Sequence, residues 1–204
     1  DGRNSVLDIQ PDGTIRWKAT VGEEKPGKHR KGSGCNSSCV TDGSLIYSYF
    51  KSGDLVSTDF KGNVVWTKIL QSLYGENTLW WDLGTSPVLT AKHCIVAVMQ
   101  SGGSYLVAFD KANGELAWKV DRNLDAPEES AQSYTTPVVM AENGVETLVI
   151  VGADHVTAHR ADNGTEIWRV GGLNPKQATR LRSIASLVVH QGVVVAPYAR
   201  GTTI

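Results

Sequence analysis

Apolar residues in this chain come in short runs separated by clusters of glycine, asparagine, aspartate and proline, and no stretch shows a convincing 3.6-residue period. Residues 86–120 set the pattern: Ser86–Thr90, Cys94–Met99, Tyr105–Asp110 and Leu116–Val120 each predict a strand. Ala91-Lys92-His93, Ser101-Gly102-Gly103 and Ala112-Asn113-Gly114 punctuate them as turns. The next stretch reads the same way and closes its last hairpin with Asp162-Asn163-Gly164, where Asn-Gly supplies the positive φ values of a tight turn.

The meander repeats. Gly-x-x-x-Trp occurs at Gly13 to Trp17, Gly62 to Trp66, Gly114 to Trp118 and Gly164 to Trp168, with successive tryptophans 49, 52 and 50 residues apart. A second landmark keeps phase with the first. Ser38-Cys39-Val40, Ser86-Pro87-Val88, Thr136-Pro137-Val138 and Ser186-Leu187-Val188 are separated by 48, 50 and 50 residues. Four-stranded meanders recurring every ~40–50 residues predict an all-β β-propeller of antiparallel blades. In each unit the glycine lets the last hairpin turn tightly, and the tryptophan on the outer strand presents a flat apolar face to seal the seam with the neighbouring blade. Stacking on a ligand is the other use of such rings; their fixed place in the repeat favours the seam.

The segments Leu106-Val-Ala-Phe-Asp-Lys-Ala-Asn-Gly-Glu-Leu-Ala-Trp118 and Val156-Thr-Ala-His-Arg-Ala-Asp-Asn-Gly-Thr-Glu-Ile-Trp168 resemble the tryptophan-docking motif of the pyrroloquinoline-quinone-like β-propeller repeat. Quinoprotein alcohol dehydrogenases and the outer-membrane assembly lipoprotein of the β-barrel insertion machinery belong to that superfamily. The resemblance covers nearly the whole chain, implies a ring of eight blades, and specifies fold rather than function. Arg160 departs from it, standing where other units carry Asp59 and Asp110.

The single propeller region, residues 1–204, divides by phase. Residues 1–22 give the outer strands of a split blade, 23–70, 71–120 and 121–170 give full blades, and 171–204 give the inner strands of a split blade. About four repeats are present, either closing a four-bladed ring or forming half of an eight-bladed one; the second is expected. Half a ring exposes two open blade faces, and calls for a missing propeller half or a second chain.

Composition adds exclusions. The chain is 41% hydrophobic and 20% charged with net charge −1, so disorder is excluded and nothing calls for nucleic acid or an anionic membrane. No apolar run nears the ~20 residues that span a bilayer, so no transmembrane segment is expected. No signal peptide is visible, and a periplasmic, secreted or cell-envelope location is expected. Cys35 and Cys39 can form a small disulfide if their Cα atoms approach within ~7 Å, and Cys94 is left over. His155 and His159 share a strand face, but ~13 Å of strand separates them, too far for one ion. The sequons at Asn36 and Asn163 look fortuitous. No metal site is expected.

Chemistry is sought in the inter-blade loops, about 21–37, 71–85, 121–135 and 171–184, which gather at one mouth of a propeller. The first is basic (Lys25, Lys28, His29, Arg30, Lys31), the second holds Tyr74, Trp80, Trp81 and Asp82, the third Asp125, Glu128, Glu129 and Tyr134, and the fourth Lys176, Arg180 and Arg182. Trp80 and Trp81 lie outside the repeat and can stack a sugar ring or flat cofactor or anchor a partner protein; alternatively one of them plugs the channel or covers a neighbouring loop. Arg182 can grip a carboxylate or phosphate, or pair with Asp82 or the acidic loop. Trp80, Trp81, Asp82, Tyr134 and Arg182 are the binding candidates. The expected function is a non-catalytic scaffold recognising a protein, a polysaccharide or a small ligand at this face, with no cofactor and no catalytic residue. The alternative is a quinoprotein dehydrogenase or an accessory domain of an extracytoplasmic enzyme. Such dehydrogenases stack pyrroloquinoline quinone on a vicinal disulfide and bind calcium through carboxylate and amide side chains. No adjacent cysteine pair is present, and nothing marks out Asp82, Glu128 or Glu129 as calcium ligands.

Overall fold

The structure is a computed structural model that describes residues 2–26, 32–198 and 202–203. It opens with a two-stranded sheet, β1 (Arg3–Ile9) and β2 (Ile15–Glu23). Three antiparallel four-stranded meanders follow. The first is β3 (Val40–Thr41), β4 (Leu45–Tyr49), β5 (Asp54–Asp59) and β6 (Val64–Ile69), which runs into the one-turn helix α1 (Leu70–Tyr74). The second is β7 (Val88–Leu89), β8 (His93–Val98), β9 (Tyr105–Asp110) and β10 (Leu116–Asp121), and the third β11 (Val138–Glu142), β12 (Val145–Gly152), β13 (His155–Arg160) and β14 (Glu166–Val170). The hairpins β15 (Val188–His190) with β16 (Val193–Val195), and β17 (Pro197–Tyr198) with β18 (Thr202–Thr203), end the described chain. The first strands of successive units lie beside one another, as blades around an axis require. Among the described residues β1 pairs only with β2 and β16 only with β15, so the chain is an open arc rather than a four-bladed ring.

The blades stack face to face, which explains the near-continuous apolar runs of their middle strands. Val96, Val98, Val107 and Phe109 pack with Tyr47, Leu55 and Trp66 of the preceding blade. Ile95, Ala97, Leu106 and Ala108, alternating with them, pack with Leu148 and Ile150 of the next. A strand covered on both faces has no polar side to show in its sequence.

Two devices close the seams between units, and the seams on either side of the central blade carry both. The indole N–H groups of Trp17, Trp66 and Trp118 donate to the carbonyls of Phe60, Lys111 and Ala161 in the following unit, at 3.0, 2.8 and 3.1 Å. The rings lie across Gly62, Gly114 and Gly164, where an added Cβ would meet them at 2.8, 2.8 and 2.7 Å. These glycines therefore serve both the turn, with φ of +86°, +73° and +77°, and the close approach of a neighbouring blade. A register slip precedes every tryptophan: Arg16, Val65, Ala117 and Ile167 are the extra residues of β-bulges that turn the outer strand.

The second device lies at the inner end. The backbone N–H of Ser38 donates to Ser86 Oγ, that of Ser86 to Thr136 Oγ1, and that of Thr136 to Ser186 Oγ, at 2.9, 3.0 and 2.9 Å. The phased Ser/Thr landmark is thus a hydroxyl chain running from blade to blade.

Two smaller expectations change. Cys35 and Cys39 form no disulfide, and Cys39 Sγ instead lies 3.1 Å from Ser48 Oγ. Arg160 cannot take the turn-closing role of Asp59, which accepts from the N–H groups of Lys61 and Asn63. Arg160 forks onto Asp162, and Asn163 closes the turn by accepting from Thr165 N–H.

Candidate functional site

Because each outer strand leads across to the next inner strand, the connections 70–86, 122–136 and 171–186, with the first loop, share one rim. The hairpins at Phe50–Gly53, Met99–Ser104 and Gly152–Asp154 join them there. The rim is laced from loop to loop. In the first two loops, Asp82 is buried: its Oδ2 accepts from Gly34 N–H and its Oδ1 from Leu83 N–H, both at 2.8 Å, and Lys51 Nζ stands 3.9 Å away. Ser37 Oγ donates to the Thr85 carbonyl at 2.6 Å. Asp82 is therefore buried and engaged in holding the first two loops together.

The second and third loops meet at Gln132 and Tyr134. Trp80 N–H reaches Gln132 Oε1 at 3.5 Å, Trp81 N–H reaches Tyr134 Oη at 3.4 Å, and the tyrosine hydroxyl donates to Gln132 Oε1 at 3.2 Å. This lattice fixes the Trp80–Trp81 backbone and leaves the first indole 68% exposed. The third and fourth loops join through Ser130, whose hydroxyl donates to the Ala178 carbonyl at 2.6 Å and accepts from Leu181 N–H at 3.1 Å.

Arg182 completes the cluster. Its guanidinium pairs with Glu129 and lies 5.3 Å from the centre of the Trp81 ring, a cation–π distance. The pairing with the acidic loop expected for it is present. Ile184, 70% exposed, follows it on the surface. Gln132 and Ile184 escaped sequence reasoning; an apolar residue at the end of a polar loop was the available signal for the second. Lys28, His29, Arg30 and Lys31 lie outside the described residues.

The rim thus presents an exposed indole, a second indole capped by an ion-paired arginine, and an isoleucine on a rigid base. The cavity beneath Arg182, lined by Leu173, Leu181, Ile184 and Pro197 among others, is about 190 Å³. That is below the several hundred Å³ of a typical small-molecule pocket. Asp82 and Glu129 are engaged, and no group of three or more His, Cys, Asp or Glu among the described residues is placed to hold a metal. No adjacent cysteines offer a stacking platform. His159, buried in a blade, has Nδ1 at 3.1 Å from the Gly164 carbonyl and Nε2 at 3.0 Å from Thr157 Oγ1. Burial lowers its pKa. No helix among the described residues is long and apolar enough to cross a membrane.

Comparison with known proteins matches residues 2–196 to the family described as outer membrane protein assembly factor BamB. Among solved structures, BamB from Moraxella catarrhalis superposes with a TM-score of 0.66 at 16% identity, covering 94% of this chain and 52% of that one. The quinohemoprotein alcohol dehydrogenase ADHIIG from Pseudomonas putida HK5 gives 0.63 at 14% identity, covering 96% and 36%. That from Comamonas testosteroni gives 0.64 at 12%, covering 96% and 37%. The chain spans about half the length of the BamB structure and less of the dehydrogenases. No curated protein matches it in sequence.

Proposed function

The chain belongs to the family of the outer membrane protein assembly factor BamB, and from that premise we propose that it is a non-catalytic scaffold of the cell envelope whose rim docks a protein. The observation that carries this reading is the surface formed by Trp80, Trp81, Arg182 and Ile184. Exposed aromatic, arginine and aliphatic groups on a pre-organised base are the composition of protein-binding hot spots. Assembly is what the family's name describes, and a flat, pinned rim suits a partner's surface better than a buried substrate. The dehydrogenase alternative has only likeness of fold behind it. Seams closed by docked indoles would supply the rigidity such a platform needs.

A photo-crosslinking amino acid placed at Trp80 in cells of the source organism tests this. The expected result is a discrete, protease-sensitive adduct, absent when the probe replaces Lys61 on the opposite face. An adduct whose added mass is removed by glycosidase overturns the protein-docking reading in favour of a polysaccharide, and no adduct at position 80 overturns it outright.

A further inference from the structure

The sequence contains three Asn-Gly pairs, Asn113-Gly114, Asn143-Gly144 and Asn163-Gly164. In such a pair the glycine has no side chain to keep its nitrogen away from the asparagine Cγ, so the amide is readily lost. The fold treats the three differently. Two lie in the seam turns. Gly114 N–H donates to the Asp110 carbonyl at 2.9 Å, and Gly164 N–H to the Arg160 carbonyl at 2.8 Å. Their asparagines are held too: Asn113 Oδ1 accepts from Glu115 N–H at 2.8 Å, and Asn163 Oδ1 from Thr165 N–H at 2.9 Å. Both glycines are buried, under the indoles of Trp66 and Trp118. To attack, the nitrogen must lose its proton and swing toward Cγ. The hydrogen bond opposes the first step and the docked ring the second.

The third pair forms the tip of the β11–β12 hairpin, at the end of the blade away from the rim. Glu142 pairs with Val145, so Asn143 and Gly144 are the whole loop. Their φ values of +50° and +76° are those of a type I′ turn. Both residues are exposed, and nothing stands within 4 Å of the Gly144 Cβ position. Among the described residues Gly144 N–H donates no hydrogen bond, and the Asn143 side chain makes none. Every restraint present at the seam turns is missing here.

We propose that Asn143 is a site of spontaneous deamidation, and that it reacts in the folded chain while Asn113 and Asn163 are protected. The Gly144 nitrogen gives its proton to solvent and bonds to Asn143 Cγ. The Cγ–Nδ2 bond breaks, and the amide leaves as ammonia after taking up a proton. One water then opens the succinimide. Aspartate results where the new N–Cγ bond breaks, and isoaspartate where the original Asn143–Gly144 peptide bond does. No electron is transferred. Either product adds a carboxylate to a hairpin that already carries Glu142 and Glu146. The change stays at the tip because the hairpin is anchored behind it. The Glu146 carboxylate accepts from Ala91 N–H at 2.9 Å, and the Glu146 carbonyl from Ala161 N–H at 3.1 Å. The inference rests on the turns and stands apart from what the rim binds.

Peptide mapping by mass spectrometry follows all three pairs at once in the 204-residue chain, incubated folded at mildly alkaline pH. Labelling with an isoaspartyl methyltransferase marks the isoaspartate. Asn143 should convert faster than Asn113 and Asn163 by roughly tenfold or more. In urea the three rates should converge, since the dipeptide is the same and the turns are gone. Gly144→Ala puts a methyl group beside the attacking nitrogen and should slow conversion at position 143 roughly tenfold or more, with the β-sheet circular dichroism spectrum kept. An Asn143 that keeps its amide in the folded chain overturns the proposal. So does conversion of Asn113 or Asn163 at the rate of Asn143 in the folded chain, a preference for Asn143 that persists in urea, or a rate at position 143 that Gly144→Ala leaves unchanged.

Discussion

The indole of Trp66 lies across Gly114, and its N–H reaches the Lys111 carbonyl at the other end of the same turn. One aromatic ring thus requires both a missing side chain and a presented carbonyl on the adjacent blade.

Gly114→Ala should therefore destabilise far more than an ordinary turn glycine. It adds left-handed strain, about 1–2 kcal/mol, to a collision that Trp66 can relieve only by leaving the seam. Gly144→Ala, at a similar φ with open space around it, should cost only the strain. Urea denaturation of the two variants checks the difference; equal losses would mean the ring is not held there.

Thr136→Val keeps the shape of the inner strand but deletes the acceptor for Ser86 N–H. Stability should fall by about 1–3 kcal/mol, the cost of an unsatisfied buried donor. Hydrogen exchange at the Ser86 amide should accelerate, with the Ser38 amide, which uses Ser86 Oγ, much less affected.

Removing the Asp82 carboxylate should loosen the first loop. Asp82→Ala leaves Gly34 N–H without its acceptor and should cost about 1–3 kcal/mol, with faster exchange at Gly34. Asp82→Asn keeps an acceptor oxygen and should cost less. If Asp82 were instead a surface ligand group, both variants would leave the Gly34 amide unchanged.

Asp42 predicts an acid limb to stability. Burial pushes its carboxyl up, but the Leu45 and Ser44 N–H groups, with Lys111 and Tyr47, outweigh this and hold it down at about 2, against an ordinary 3.8. The unfolded chain takes up the proton first as pH falls. The contribution is thus whole above about pH 4 and lost toward pH 2. Solvent screening limits it to roughly 1 kcal/mol. Asp42→Asn should flatten the wild-type decline in melting temperature over that window; an unchanged slope would assign the decline to other carboxylates.

Much of the blade architecture is legible in the sequence because the repeat reports it twice, in Gly-x-x-x-Trp and in the Ser/Thr landmark. The third strand of the central unit, Tyr105–Asp110, is read to the residue. The short first strand is not: Ser86–Thr90 narrows to Val88–Leu89, because the Ser86 amide bonds to the next blade and Thr90 closes the hairpin, its Oγ1 taking the His93 N–H. α1 was invisible because one turn holds no period, and Leu70 alone is buried on it. The bulges before each tryptophan left no composition signal, since Arg, Val, Ala and Ile all fill that place. At the rim, aromatic content picked out Trp80 and Trp81. Which carboxylate is exposed and which is consumed depended on distant partners such as Gly34, 48 residues from Asp82, and no local pattern carries that.

The hydroxyl chain runs one way, each unit offering an amide forward and presenting an oxygen backward. A unit bearing both ends of that link, with its own glycine and indole, is indifferent to which sibling stands beside it. In-frame gene duplication or excision of about fifty codons would then alter the circumference of the ring without demanding any compensating change next door. Diversity is free to accumulate in the rim loops, where no such reciprocity is imposed.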